Sequence, residues 1–256
     1  MKHTEDTRVK LPAILHLIRL GYSYLSLRNV AWDEDTNIFT DIFSESIKRL
    51  NPKLSESDVN RFYDEISLCL ENEDLGNAFY NKLIDKSGVR MVDFENFENN
   101  TFNVVTELPC KKDEDEFRPD ITLLINGIPL AFIEVKKPNN RDGIIAEHRR
   151  MGVRNQNKKF RKFMNITQLM VFSNNMEYED GSPHPFEGAF YTTASYHKPI
   201  FNYFREEEKF NLNTILSDIT DDVENLVLKD NNLISIKNSD EFATNKDPNS
   251  PTNRIC

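Results

Sequence analysis

Three charged side chains, Asp120, Glu134 and Lys136, stand at the open end of an otherwise apolar stretch that runs from Arg118 to Pro138. Two runs of Ile, Leu, Val and Phe meet there at Asn126-Gly127, the strongest short-range signal for a β-hairpin. Runs so apolar on both faces belong in the middle of a mixed sheet rather than at its edge. Burying an ionised group is costly unless a partner or a metal compensates. A divalent cation would do so. Asp120 and Glu134 are hard oxygen ligands of the kind Mg²⁺ takes, and the Val135 carbonyl offers a third oxygen. Side chains alternate along a strand, so Glu134 and Lys136 share a face and the amine falls beside a metal-bound water. The competing reading is a surface salt bridge at the hairpin's open end, which so apolar a hairpin disfavours.

Counting places a condition on that hairpin. A plain two-residue type I′ turn at Asn126-Gly127 pairs Asp120 with Ile133 and points its carboxylate away from Glu134, because directly opposed residues share a face. An odd shift of register is required. The commonest device is a left-handed Gly127 closing a type I turn with a G1 bulge; a one-residue bulge near Pro119 or Pro129 serves equally, since proline's missing N–H is tolerated there. The two carboxylates are then expected within roughly 5 Å of each other, close enough to share one metal.

Pro119-Asp120 followed by Glu134-Val135-Lys136 is the PD-(D/E)XK nuclease pattern, and the surrounding RPDITLLINGIPLAFIEVKKP resembles the N-terminal nuclease domain of the R subunit of type I restriction enzymes. The resemblance implies a restriction-endonuclease-like α/β fold, a central mixed β-sheet flanked by helices. It implies Mg²⁺-dependent hydrolysis of double-stranded DNA, with Asp120, Glu134 and Lys136 catalytic and with Asp120, Glu134 and Val135 holding the metal. Lys136 would position the attacking water or stabilise the transition state. In related nucleases an acid on the first helix can lie near the metal. Glu5 is the candidate here, the alternative being an acid that merely caps the first turn or offsets its dipole. Leu20-Gly21-Tyr22 matches the family's Leu-Gly-Tyr, and Gln156-Asn157-Lys158-Lys159-Phe160 resembles its Gln-x-x-x-Tyr element, with Phe in place of Tyr. In that family an ATP-driven translocase follows the nuclease domain, and methyltransferase (M) and specificity (S) subunits complete the assembly. The chain has no Gly-rich Walker A pattern, so ATP would belong only to a motor portion beyond it. Two rivals stand beside this reading. One is a non-catalytic docking module that keeps the nuclease fold, against which the intact Asp120, Glu134 and Lys136 argue. The other is a stand-alone repair or junction nuclease, against which the extra N-terminal helices and polar tail argue.

The elements that must position these residues are legible from periodicity. Thr4-Glu5-Asp6-Thr7 opens a helix whose apolar face runs through Val9, Leu11, Ile14 and Leu17 until Gly21. Helical stripes follow through Ile38 to Leu50, Val59 to Leu70 and Ala78 to Ile84, with Ser55 to Asp58 as a cap. Strands are expected around Val89 to Val92, Phe102 to Val105, Ile166 to Phe172 and Gly188 to Tyr196, and a loop from Met176 to Glu187. The four acids that follow Lys112 read as a solvated turn. A helical stretch from Asn139 to about Phe163 carries Arg149, Arg150, Arg154, Lys158 and Lys159 with no acid after Glu147. This is the local basic patch, and with Gln156 it forms the candidate DNA-binding set; a solvated helix face is the alternative. Leu212 to Leu228 reads as an amphipathic helix. On that resemblance residues 1–237 would form an endonuclease domain, with a helical portion over about 1–86 and a catalytic sheet over about 87–200, and 238–256 a polar linker.

A hydrophobic content of 38% with 18 Phe and 8 Tyr excludes wholesale disorder, and no apolar run is long enough to span a membrane. Three cysteines without metal-ligand spacing, and no apolar leader, fit a reducing, cytoplasmic setting. The net charge of −10 excludes a surface that binds nucleic acid all over. It leaves room for a local site, because phosphates respond to the nearby field.

Overall fold

The computed structural model describes residues 4–137, 141–174, 189–193, 200–204 and 215–247. The Thr4 hydroxyl accepts the Thr7 N–H at 3.2 Å and opens a π-helical turn, Asp6–Lys10, that continues as α1 (Leu11–Arg19). β1 (Ser23–Tyr24) follows, then three helices: α2 (Thr40–Leu50), α3 (Glu56–Cys69) and α4 (Asn77–Ile84). The expected cap is a complete capping box, with Ser55 and Asp58 each accepting the other's N–H. Next come β2 (Phe102–Thr106), the short hairpin β3 (Cys110–Lys112) and β4 (Asp115–Phe117), and the long hairpin β5 (Ile121–Ile125) and β6 (Ile128–Val135). α5 (Arg141–Gln156) and α6 (Arg161–Ile166) cross to β7 (Leu169–Ser173). β8 (Ala189–Thr192), β9 (Asn202–Tyr203), α7 (Asp221–Asp230) and α8 (Asp240–Lys246) complete the described chain.

Among the described residues seven strands form one mixed sheet in the order β1-β2-β5-β6-β7-β8-β9, so the apolar hairpin is central, as its composition required. β6 runs parallel to β7 and antiparallel to β5. α1 packs on the face bearing Val104, Ile121, Ile133 and Val135, together with Val227, Leu228 and Phe242. The opposite face, with Val105, Leu124, Phe132, Met170 and Phe172, is covered by Ile144 and Met151 of α5 and by Phe160, Phe163 and Met164. α2, α3 and α4 form a third cluster around the turn end of the hairpin, against Ile128 and Leu130. Among the described residues no helix is long and apolar enough to cross a membrane.

Several expectations change. Val89 to Val92 form no strand; Met91 and Val92 plug the helical cluster from an irregular segment, satisfying the apolar pattern without a ladder. The acidic run is a β-hairpin rather than a bare turn, because Phe117 of β4 is drawn into the core. The helix expected from Leu212 begins at Asp221, where three acids in the first turn suit a helix N-terminus. The stretch read as a linker from 238 contains α8, whose Phe242 is buried against the α1 cluster. The basic helical stretch breaks at Asn157, whose side chain accepts the Lys159 N–H. The loop from Met176 to Glu187, and Asn139-Asn140, lie outside the described residues.

The hairpin contains the irregularity that counting required, beside Pro129 and not at the turn or near Pro119. Asn126 and Gly127 both have positive φ, 54° and 79°, and Leu124 pairs with Pro129 as a two-residue turn dictates. The register then shifts: Leu123 pairs with Ala131 and Ile121 with Ile133, so Leu130 is the extra, bulged residue. The turn itself is clamped. A Cβ on Gly127 would lie 2.7 Å from the Phe39 carbonyl oxygen and 2.8 Å from the Phe43 nitrogen of α2.

Gly127→Ala is therefore expected to destabilise the chain by more than about 1–2 kcal/mol, the cost of a left-handed backbone alone, whereas Gly152→Ala in α5, where nothing lies within 4 Å, should stabilise it by about 0.5–1 kcal/mol. Urea denaturation midpoints of the two variants make the comparison.

Candidate active site

The shifted register carries Asp120, one residue before β5, to the face of β6 that bears Phe132 and Glu134, and Lys136 follows on the same face. Asp120 Oδ2 accepts the Val135 N–H at 2.8 Å, which ties the two strand ends together. The Lys136 N–H donates to the Ser173 carbonyl at 2.7 Å, so the residue is pinned at the last rung shared with β7. Its ammonium donates to the Val135 carbonyl at 2.7 Å and lies 3.6 Å from Glu134 Oε2.

α5 adds charges to the same place. Glu147, with no exposed surface, puts Oε1 3.0 Å from Arg154 Nη1. Its Oε2 lies 3.0 Å from Arg150 Nη1 and 3.3 Å from Lys136 Nζ, in charge contact without the alignment of a hydrogen bond. Arg154 Nη1 also donates to Glu134 Oε1 at 3.1 Å, and the guanidinium sits over the Phe117 ring at 4.5 Å. Phe117 is held edge-on to Phe132, Phe160 and Phe163, so the plane beneath the guanidinium is rigid.

Burial pushes the Glu134 carboxyl up to about 8, reinforced by the neighbouring charges of Asp120 and Glu147 and opposed by Lys136 and Arg154. Lys136 shows the complementary effect. Burial works against its ammonium, but Glu134, Glu147, Asp120 and Glu5 outweigh it and raise its pKa, so it is a cation at neutral pH. Glu5 is raised as well, by burial first and then by Asp120, against the pull of Lys136 and a hydrogen bond from the Lys137 N–H. The structure thus gathers Asp120, Glu134, Val135, Lys136 and Glu5 at one strand end.

The other expected residues fare differently. Arg154 turns inward to the carboxylates instead of facing solvent. Arg149 and Arg150 are exposed on α5, beside the site. Lys158 pairs with Glu73 at 3.0 Å, and Lys159 with Asp115 at 3.1 Å and Asp113 at 3.4 Å. Gln156 is exposed at the last residue of α5 and makes no hydrogen bond with the carboxylates. In the sequence Glu147 only marks where the basic segment begins. Its spacing to Arg150 and Arg154, one and two helical turns on, was the available sign that all three share a face.

Two carboxylates and the Val135 carbonyl make a hard donor set of the type Mg²⁺ accepts, and Asp120 and Glu147, which add to the upward push that burial gives Glu134, are negative charge that a divalent cation would offset. Among the described residues no three acid, His or Cys side chains converge as a cage, so the main-chain oxygen is needed to complete the set.

A family model described as type I restriction enzyme R protein N terminus matches residues 2–182. The chain is 30% identical over 207 residues to the MjaIXP type I restriction enzyme endonuclease subunit of Methanocaldococcus jannaschii, an alignment covering 71% of this chain and 20% of the relative. It is 32% identical over 121 residues to the type I restriction enzyme HindI endonuclease subunit of Haemophilus influenzae, covering 40% of this chain and 11% of the relative. The chain therefore spans a fifth or less of the length of these relatives.

The state of Glu134 has a measurable consequence. Its pKa of about 8 lies above the ordinary 4.5, so the folded chain keeps a proton that the unfolded chain releases, and stability falls as pH rises through that window. Glu134→Gln carries no charge at any pH and escapes that loss. In chelator-containing buffer its melting temperature relative to the parent chain should rise steadily from about pH 5 to about pH 8; a difference independent of pH would contradict the assignment.

Proposed function

The chain belongs to the type I restriction enzyme R protein N-terminus family, and from that premise we propose that it is the nuclease domain of an R subunit, hydrolysing phosphodiester bonds of double-stranded DNA with Mg²⁺. The observation that carries this reading is the bulge that sets Asp120 on the face of Glu134 and Lys136. A hairpin without it would separate the charges.

Asp120, Glu134 and the Val135 carbonyl would hold the metal, with Glu5 close enough to bias their charge. Mg²⁺, when bound there, supplies an acidified water and offsets charge on the phosphoryl oxygens. Lys136, kept as an ammonium by its acid neighbours, donates hydrogen bonds and positive charge toward those oxygens; it stabilises the transition state instead of accepting a proton. Asp120 is oriented by the Val135 N–H, which keeps one of its oxygens in place. Arg149, Arg150, Lys158 and Lys159 offer contacts to phosphates, and base-specific contacts are unnecessary if a specificity subunit reads the sequence. Coupling to ATP-driven translocation and assembly with M and S subunits belong to a longer polypeptide. A cytoplasmic setting, where DNA and the free thiols of Cys69 and Cys110 coexist, completes the reading.

Two measurements test it. Lys136→Ala should lower Mg²⁺-dependent cleavage of plasmid DNA by ~10²-fold or more, assayed in the longer polypeptide with and without ATP, while leaving the fold intact; wild-type rates would remove Lys136 from the mechanism. Asp120→Ala should in addition weaken Mg²⁺ binding by calorimetric titration.

The basic surface is tested by salt. Arg149→Ala, which removes an exposed cation with no acid partner among the described residues, should flatten the slope of log affinity against log salt by up to ~0.9. Lys158→Ala and Lys159→Ala should change it less, because Glu73, Asp113 and Asp115 already neutralise them.

A further inference from the structure

The face of α5 that meets the sheet reads Ile144, Glu147, Met151 and Arg154 at helical spacing. Ile144 and Met151 are ordinary core residues. Between and beyond them, a carboxylate with no exposed surface and a largely covered guanidinium occupy positions that apolar side chains would fill without penalty. A staple between α5 and the sheet would need only one ion pair. Glu147 makes more: Arg154 is at one oxygen, and Lys136 and Arg150 are at the other. Two of those cations, Lys136 and Arg154, also reach Glu134, at 3.6 and 3.1 Å. The four groups close a ring in which two acids share two cations, and Glu147 is the acid that lies outside the metal-donor set. Without it, Arg154 would be left to Glu134, and Lys136 to Glu134 with the more distant charges of Asp120 and Glu5.

We propose that Glu147 is a positioning residue of the nuclease centre: it shares Lys136 and Arg154 with Glu134, so that neither cation is held by Glu134 alone, leaving that carboxylate available to the metal and Lys136 directed at the phosphate. This rests on the nuclease reading for its last clause alone. The division of cations between the two acids is a property of the chain itself.

The test uses the isosteric Glu147→Gln, which keeps the shape and removes the charge. Calorimetric Mg²⁺ titration of the chain should show affinity lowered by ~10–100-fold, the range typical of residues that support metal ligands. In the longer polypeptide, kcat for plasmid cleavage should fall by a similar factor while KM for DNA stays within about twofold, a split that a loss of folded protein would not produce. Glu147→Gln combined with Arg154→Gln should be no worse than the worse single variant, because the two act as one unit. Unchanged metal affinity and kcat in a folded Glu147→Gln chain overturn the proposal. If Glu147→Gln does not fold, the unmodified chain decides: its Lys136 ζ-ammonium ¹⁵N signal should report a restrained group, and a freely rotating ammonium overturns the proposal. A parent chain that binds Mg²⁺ in this Glu147-dependent way, within a polypeptide that does not cut DNA, would overturn the nuclease reading and leave the positioning role standing.

Discussion

One extra residue in the central hairpin decides which side chains can meet. Side chains alternate faces along a strand, so a two-residue turn at Asn126-Gly127 alone would leave Asp120 and Glu134 on opposite sides of the sheet. Leu130 absorbs the mismatch as a bulge, and from there to the open end the two strands present acids and amine together. Everything else in the fold protects that offset. α2 grips the turn through the backbone around Gly127, α1 and α5 bury the two faces, and β2 and β7 flank the hairpin so that neither strand can slip without breaking a ladder.

The second constraint is electrostatic. A sheet end buried between helices is a poor solvent for charge, and Asp120, Glu134, Glu147 and Glu5 all bear on Lys136 there. The chain offsets the acids with Lys136 and Arg154, one from the strand and one from the helix, and stacks Arg154 on Phe117. The little β3–β4 hairpin, which reads as a turn in the sequence, thereby contributes to the site: it supplies the ring on which the guanidinium lies.

What could be read from the sequence followed how local the determining physics was. The hairpin, its central place and the need for an odd shift of register came from alternation and counting within one short stretch, and the helical caps came from residues adjacent in sequence. The device chosen, a bulge at Leu130 instead of a G1 turn, is one of the alternatives that alternation alone leaves equivalent. Glu147 is not legible in the sequence because its meaning depends on the rotation of α5 over the sheet. α8 is not legible either, because a single Phe242 in polar text carries no period. The basic segment looked unopposed because its acid partners come from distant positions: Glu71 and Glu73, Asp113 and Asp115, and Asp35.

That last arrangement bears on how a duplex would be held. A phosphate arriving at Lys158, Lys159 or Arg161 finds the cation already engaged by a carboxylate, so each new ion pair forms at the expense of an old one, and the net change at any point is small. If the chain holds DNA as proposed, a polyanion on such a surface would have little to lose by shifting to the next equivalent position, and its dwell at any one position would be brief. The surface would then have the character of a bearing more than of a clamp, with low friction for a long charged rod moving across it.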